Sequence, residues 1–132
     1  MLLFLIDFIW CSLSALLTSL LINKYSKCAV QASSGVSLLM CLVSYTLVKD
    51  SSYFPIIFGG SFIGMSLFKK FHPFEIVIAS SFFSLIYLIM IKQLPPIGGV
   101  LGLGAFISLG IINFNKFLFL VLKKATRFKW PR

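Results

Sequence analysis

Long apolar runs make up most of this chain, and nearly all of its charged residues lie in the short segments between and after them. The four longest runs cover residues 2–22, 28–48, 74–91 and 97–122. A bilayer core of roughly 30 Å requires about 20 helical residues, so runs of this length predict membrane-spanning helices. Charged residues make up only 11% of the chain, which is too few for the surface of a soluble globule. The sequence therefore predicts an all-α, polytopic transmembrane helical bundle.

A nine-residue pattern occurs twice in the chain. Residues 30–38 read VQASSGVSL, and residues 77–85 read VIASSFFSL. A proline and then a Gly-Gly pair follow each copy. Repetition of this kind indicates a duplicated structural unit, here a hairpin of two apolar helices.

We expect one transmembrane domain over residues 1–132, because the connections are short and contain no Ser/Gly linker or low-complexity segment. Its parts are a leading helix in residues 1–27, a first hairpin in 28–70, a second hairpin in 74–122 and a basic tail in 123–132.

A shorter apolar run in residues 53–68 decides the number of crossings. Its length alone fits either a crossing helix or a re-entrant segment. In the repeat it corresponds to the start of the last run, which is long enough to cross, so we expect about five helices. If the short run does not cross, four helices span the membrane.

Positive charges predict the orientation, because short cytoplasmic loops accumulate lysine and arginine. With an outside N-terminus and five crossings, only Lys49 and Lys92 lie in outer loops. The cytoplasmic side then contains Lys24, Lys27, Lys69, Lys70, Lys123, Lys124, Arg127, Lys129 and Arg132. Four crossings would place Lys24 and Lys27 outside, and both versions leave the C-terminus in the cytoplasm. We expect a multi-pass protein of the cell (inner) membrane.

The net charge of +9 raises the question of a nucleic-acid partner. Nucleic-acid surfaces gather basic residues on one folded face, whereas here they lie at predicted helix ends, where they contact anionic headgroups. The expected partners are the lipid bilayer and either further copies of this chain or other membrane subunits, not nucleic acid. The basic tail is also a candidate surface for a cytoplasmic partner.

Small residues recur within the predicted helices. Close packing and polar contacts hold helices together in lipid, so small side chains mark the faces that touch. These faces are packing seams within or between protomers, a path for a small solute, or an assembly surface for another protein. The residues assigned to them are Ser33, Ser34, Ser37, Gly59, Gly60, Gly64, Ser80, Ser81, Ser84, Gly98, Gly99 and Gly102.

The aromatic residues Phe82 and Phe83 interrupt the second copy of the pattern. We expect them to reach lipid or to fill soft gaps. Bulky replacements at Ser33, Ser34, Ser80 or Ser81 should then harm assembly more than replacements at the two aromatic residues.

Polar groups at membrane depth are costly and indicate a role. Asp7, inside the first apolar run, either reaches headgroup water near the outer end or forms a cation or proton site facing the bundle. Asn113, Asn115 and Lys116 form a polar band in the last run. Lys116 either extends to the inner interface or contacts a substrate or a partner's carboxylate. Asp7 and Lys116 are expected at opposite membrane faces and are not paired.

No pattern in the sequence predicts catalysis, a cofactor or a metal site. His72 lacks the second ligand that zinc requires, and Glu75 is expected to neutralise a nearby lysine or to favour a helix start. Cys11, Cys28 and Cys41 form neither a CxxC pair nor a disulfide framework. We therefore expect a protein that is not an enzyme.

The favoured function is a noncatalytic small channel or transporter component acting as an oligomer, because short-looped helices offer a membrane surface or a path. The alternative is an accessory or scaffold subunit of a larger membrane complex, docked through its Gly/Ser faces. In that case, replacing Gly60 or Gly64 by leucine should disrupt the association. A small membrane-permeabilising protein is a third, weaker interpretation, since it needs no internal duplication.

Overall fold

The computed structural model of the chain describes residues 2–25, 28–49, 51–66, 72–90 and 98–127. These residues form five α-helices and contain no β-strand, which confirms the all-α prediction. The helices are α1 (Leu2–Tyr25), α2 (Ala29–Val48), α3 (Phe54–Ser66), α4 (Pro73–Met90) and α5 (Gly98–Arg127). Four of them, all except α3, are long and apolar enough to cross a membrane. Several orientation residues, including Lys69, Lys70 and Lys92, lie outside the described residues, as does the end of the tail, 128–132.

Local sequence signals account for several helix ends. Pro73 begins α4 and Pro55 lies in the first turn of α3, where the missing backbone N–H would have no helical partner. α2 ends at Lys49, which has a left-handed φ of 54°, and its N–H donates a hydrogen bond to the carbonyl of Tyr45. This left-handed cap ends α2 and turns the chain toward α3.

Contacts between α1 and α3 show that these two helices run in the same direction. Gly60 of α3 lies against Cys11 of α1, and Gly64, one turn further on, lies against Ala15, also one turn further on. The chain returns between them through α2, and Ser33, near the start of α2, contacts the later part of α3. α2 is therefore antiparallel to both.

The second pair of helices is also antiparallel. Glu75, in the first turn of α4, pairs with Lys116 in the second half of α5. Phe83, further along α4, lies beside Gly104, near the start of α5. Consecutive helices therefore alternate in direction from α1 to α3 and again from α4 to α5.

The shortest helix, α3, occupies the centre. It has 13 residues, about 20 Å of helix, and contacts each of the other four helices. In the described part of the chain, α2 contacts neither α4 nor α5. α3 and α1 therefore join the two hairpins. The buried residues of α3 are Ile56, Ile57, Gly59, Gly60, Ser61, Ile63 and Gly64.

Two glycines allow α3 to approach α1 closely. A β-carbon on Gly60 would collide with the backbone carbonyl of Cys11, and one on Gly64 would collide with that of Ala15. Small residues at four-residue spacing are a common means of bringing helix backbones together in lipid. Gly60 and Gly64 thus form a packing seam inside one protomer, which we call the α1–α3 seam.

Phe83 packs at the junction of three helices, so of the two expected placements the one in lipid is wrong for this residue. It is 1% exposed, and its ring lies over Gly59 of α3 and beside Gly104 of α5. A β-carbon on Gly104 would be 3.2 Å from the Phe83 ring. Phe82, in contrast, is 36% exposed. The helical period explains the difference, because Phe83 continues the buried face of Ala79 and Ser80 while Phe82 lies about 100° away from it.

Alanine substitutions in the α1–α3 seam should destabilise the bundle. We expect Gly60→Ala and Gly64→Ala each to lower the free energy of unfolding by about 1–3 kcal/mol, because helix backbones rather than flexible side chains would have to move. Reversible unfolding in detergent micelles measures this change. Gly35→Ala on α2 is the matched control, since no described heavy atom lies within 4 Å of its β-carbon position. Equal stability of Gly60→Ala and Gly35→Ala would contradict the close approach.

Candidate functional site

Buried hydroxyl groups line the contact between α2 and α3. Ser61 Oγ lies 3.0 Å from Ser33 Oγ and 2.8 Å from Ser37 Oγ, and it is also 2.8 Å from the carbonyl oxygen of Phe58. A hydroxyl has one proton to donate but accepts at two lone pairs, so these short distances describe a shared network rather than independent bonds. The network links α2 to α3.

The hydroxyls along α1 and α4 are also satisfied by protein atoms. Ser14 donates to the carbonyl of Ile57 on α3 at 2.8 Å, which links the two central helices. Ser80 and Ser84 each donate to the carbonyl four residues earlier at 2.9 Å. The thiol of Cys11 on α1 lies within interaction range of both hydroxyls. Such contacts are worth roughly 0.5–2 kcal/mol each within membranes and need no bound solute to explain them.

The two copies of the sequence pattern have the same buried face. Ser37 donates to the carbonyl of Ser33, as Ser84 does to that of Ser80. The corresponding residues Ala32 and Ala79 are also both buried. The first helices of the two predicted hairpins therefore present equivalent faces to different partners.

The second helices of the hairpins differ. Gly59 and Gly60 are enclosed by neighbouring helices, whereas no described heavy atom lies within 4 Å of the β-carbon positions of Gly98, Gly99 or Gly102.

The predicted small-residue positions fall into three groups. Those buried within the bundle are Ser33, Ser37, Gly59, Gly60, Gly64, Ser80 and Ser84; Ser81 and Gly102 are half-buried; Ser34, Gly98 and Gly99 are exposed. Because Gly60 and Gly64 are engaged inside the protomer, replacing them tests the fold rather than association with a partner.

The outward face of α5 carries small and aromatic residues that no other described helix covers. Gly102, Phe106 and Gly110 follow one another at four-residue intervals, and Asn113 and Phe117 continue the same stripe. The β-carbon positions of Gly102 and Gly110 are open. Phe106, Asn113 and Phe117 are exposed. We call this stripe the α5 face.

Asp7 is buried between helices rather than directed outward. It is 9% exposed and lies close enough to Tyr87 of α4 and to the Cys11 thiol to act on both electrostatically. The hydroxyl of Tyr87 is buried, and it has no hydrogen-bond partner within the described residues. A buried hydroxyl without a hydrogen-bond partner is unfavourable in an apolar interior. Asp7 and Tyr87 are within electrostatic range of each other but are not hydrogen-bonded, and we call these two residues the Asp7–Tyr87 site.

Lys116 pairs with Glu75 within the same protomer. Its Nζ atom lies 2.7 Å from Oε1 and 2.8 Å from Oε2 of the Glu75 carboxylate. Oε2 of Glu75 also accepts a hydrogen bond of 3.0 Å from the backbone N–H of His72, which caps the start of α4. The role expected for Glu75 at the helix start is thus confirmed, and the lysine that it neutralises is Lys116, 41 residues away in the chain. The neighbouring Asn115 donates to the carbonyl of Ile111 at 3.0 Å.

Asp7 and Lys116 lie at opposite ends of the bundle. Asp7 is next to Tyr87, near the end of α4, while Lys116 pairs with Glu75 at the start of the same helix. Sequence reasoning missed Tyr87, although its position one turn after Phe83 and Ser84 extends the small-residue face of α4. Among the described residues, no group of three or more His, Cys, Asp or Glu side chains could hold a metal ion.

The fold and composition define a class, that of helical integral membrane proteins with several spans, since four helices meet the length and apolarity that a bilayer requires. Comparison with known protein families, curated proteins and solved structures finds no match.

Adjacent serines on α2 provide a matched test of the buried face. Ser33→Leu should lower the free energy of unfolding by about 1–3 kcal/mol, because Ser33 is buried against Ser61 and leucine overfills the seam. Ser34→Leu should change it by less than about 0.5 kcal/mol, because Ser34 is exposed. Unfolding of both variants in the same detergent gives the comparison. A larger loss for Ser34→Leu would mean that α2 is rotated from the position described here.

Proposed function

We propose that this chain is a noncatalytic component of membrane transport, a small channel or transporter subunit that acts as an oligomer. The observation that carries the proposal is the buried Asp7–Tyr87 site. Ionisable side chains within membrane helices are rare and usually belong to ion, proton or substrate pathways when they face a bundle interior. Asp7 faces α4, which favours its interpretation as a cation or proton site over that of a carboxylate in headgroup water.

The rest of the protomer interior supports a path between protomers rather than through one. Hydroxyls such as Ser14, Ser61 and Ser84 make short contacts with protein atoms, and the α1–α3 seam closes the centre. The α5 face carries open glycine positions and Asn113, which fit a second copy of the chain. A path beside Asp7 would then be completed by oligomerisation.

The membrane orientation forms part of the same proposal. Alternating helix directions are what five crossings require, with the N-terminus outside and the basic C-terminus in the cytoplasm. α3 is short for a crossing helix, yet it contacts all four other helices. Those helices would shield its backbone from lipid. The proposed location is the cell membrane.

The mass of the gently solubilised particle tests the oligomer. We expect a mass that is a small multiple of 14.8 kDa after subtraction of detergent, with no other chain in stoichiometric amount. Light scattering combined with identification of every copurifying protein measures it. A strictly monomeric particle would contradict this proposal.

Replacement of the buried carboxylate tests the transport site. In proteoliposomes, Asp7→Asn should reduce proton, Na⁺ or K⁺ flux by about tenfold or more, because it removes the charge while keeping the size of the side chain. Asp50→Asn, which changes the acidic residue between α2 and α3, should leave flux unchanged and so controls for net charge. Absence of flux for the unaltered chain, or equal flux for Asp7→Asn, would refute the proposed transport function.

An accessory subunit of a larger membrane complex is the second candidate. The α5 face favours it, because an uncovered stripe with Gly102 and Gly110 fits a helix of a different membrane protein as well as a second copy. Stoichiometric recovery of an unrelated membrane protein in the mass experiment would select this alternative.

A further inference from the structure

A groove between α4 and α5 combines apolar walls with an accessible ion pair. Its volume is about 560 Å³, within the range of small-molecule sites in proteins. Ile78 and Phe82 of α4 and Ile112 of α5 form its apolar part, and Glu75 and Lys116 form its charged part. We call it the α4–α5 groove.

The helical repeat explains why these side chains share one channel. Glu75, Ile78 and Phe82 lie three and seven residues apart, so they occupy one face of α4 over about two turns, or roughly 10 Å. Ile112 and Lys116 lie four residues apart on the facing side of α5. The groove therefore extends from the ion pair along α4 as far as Phe82, and Phe119 and Leu120 line it on the other side of Lys116.

The charges of the ion pair are accessible from the groove. The side chain of Lys116 is 39% exposed and that of Glu75 is 24% exposed, although both lie among aromatic and aliphatic residues. A ligand that reaches the pair therefore meets a cation and an anion within one hydrogen-bond length of each other. A ligand that also fills the groove must carry an apolar chain.

We propose that the α4–α5 groove binds one phospholipid whose headgroup carries both a phosphate and a primary ammonium group. The phosphate lies at Lys116, the ammonium lies at Glu75, and one acyl chain follows Ile78, Phe82 and Ile112. The proposal goes beyond the transport function and does not depend on it.

Charge balance selects this headgroup. Two protein charges and two headgroup charges sum to zero, and each anion has a cationic donor, which is the arrangement that a poorly solvated site favours. A headgroup with a phosphate but no amine would leave one negative charge unbalanced at the pair. A quaternary choline headgroup would supply the positive charge but no N–H donor for Glu75.

The shape of the groove favours a lipid over a protein segment. A helix with its side chains is about 10–12 Å across, wider than a channel between two adjacent packed helices. An extended acyl chain needs no hydrogen-bond partners, whereas an extended peptide would leave backbone groups unpaired among apolar side chains.

Lipid retention measured by native mass spectrometry tests the proposal. The full chain is reconstituted with equal mole fractions of phosphatidylethanolamine, phosphatidylglycerol and phosphatidylcholine and is then transferred to mild detergent. We expect one phosphatidylethanolamine per chain, retained at least about fivefold over each of the other lipids, as one additional ion-pair contact implies. Equal retention of the three lipids, or preference for phosphatidylglycerol, would overturn the headgroup assignment.

Two variants connect the retained lipid to this groove. The double variant Glu75→Gln/Lys116→Gln keeps the net charge of the chain and should reduce the preference to within about twofold. Ile78→Trp should displace the acyl chain because Ile78 lines the part of the groove that the chain follows, whereas Leu103→Trp, an exposed position on α5 outside the groove, should not. If the double variant does not fold, the comparison of Ile78→Trp with Leu103→Trp still decides the location. Unchanged retention in Ile78→Trp would refute the site.

Discussion

The bundle depends on the close approach of α1 and α3. Gly60 and Gly64 bring the backbone of α3 against the carbonyls of Cys11 and Ala15, so a helix of 13 residues can occupy the centre among four longer ones. In lipid, the apolar surfaces of helices gain little from contact with one another, so the attraction comes from close packing and polar contacts. The α1–α3 seam supplies the close packing, and the hydrogen bond from Ser14 to the carbonyl of Ile57 on α3 supplies a polar contact.

A closed centre leaves the functional features at the edges of the bundle. The Asp7–Tyr87 site lies at one end of α4, and the Glu75–Lys116 pair lies at the other. The α5 face and the α4–α5 groove follow the outer helix of the second hairpin. This distribution separates a polar site that involves α1 from surfaces that involve α5, so variants in the α4–α5 groove can alter lipid binding without changing Asp7 or Tyr87.

The repeated pattern produces similar first helices and dissimilar second helices. Ser33 and Ser80 occupy equivalent buried positions. Ser61 and Ser108 are also both buried, and their separation in the chain equals that between Ser33 and Ser80. The following helices then diverge, because α3 is enclosed while residues 113–123 of α5 are largely exposed. One glycine seam thus holds the protomer together, and the glycine positions at Gly102 and Gly110 remain open.

The sequence by itself determined that this chain forms apolar helices of membrane-spanning length, because length and continuous apolarity are local properties of each run. Glu75 likewise indicated the start of α4, because a negative charge favours a helix N-terminus. Only the tertiary structure decided which faces are buried, since helices that are apolar on all sides show no polar stripe from which to read their orientation. For this reason the sequence left open whether Phe83 reaches lipid or fills a gap between helices, and it gave no sign that Tyr87 is buried within electrostatic range of Asp7. Their environment depends on the glycines of α3 and α5 and on the position of α1, which lie far away in the chain and come together only on folding.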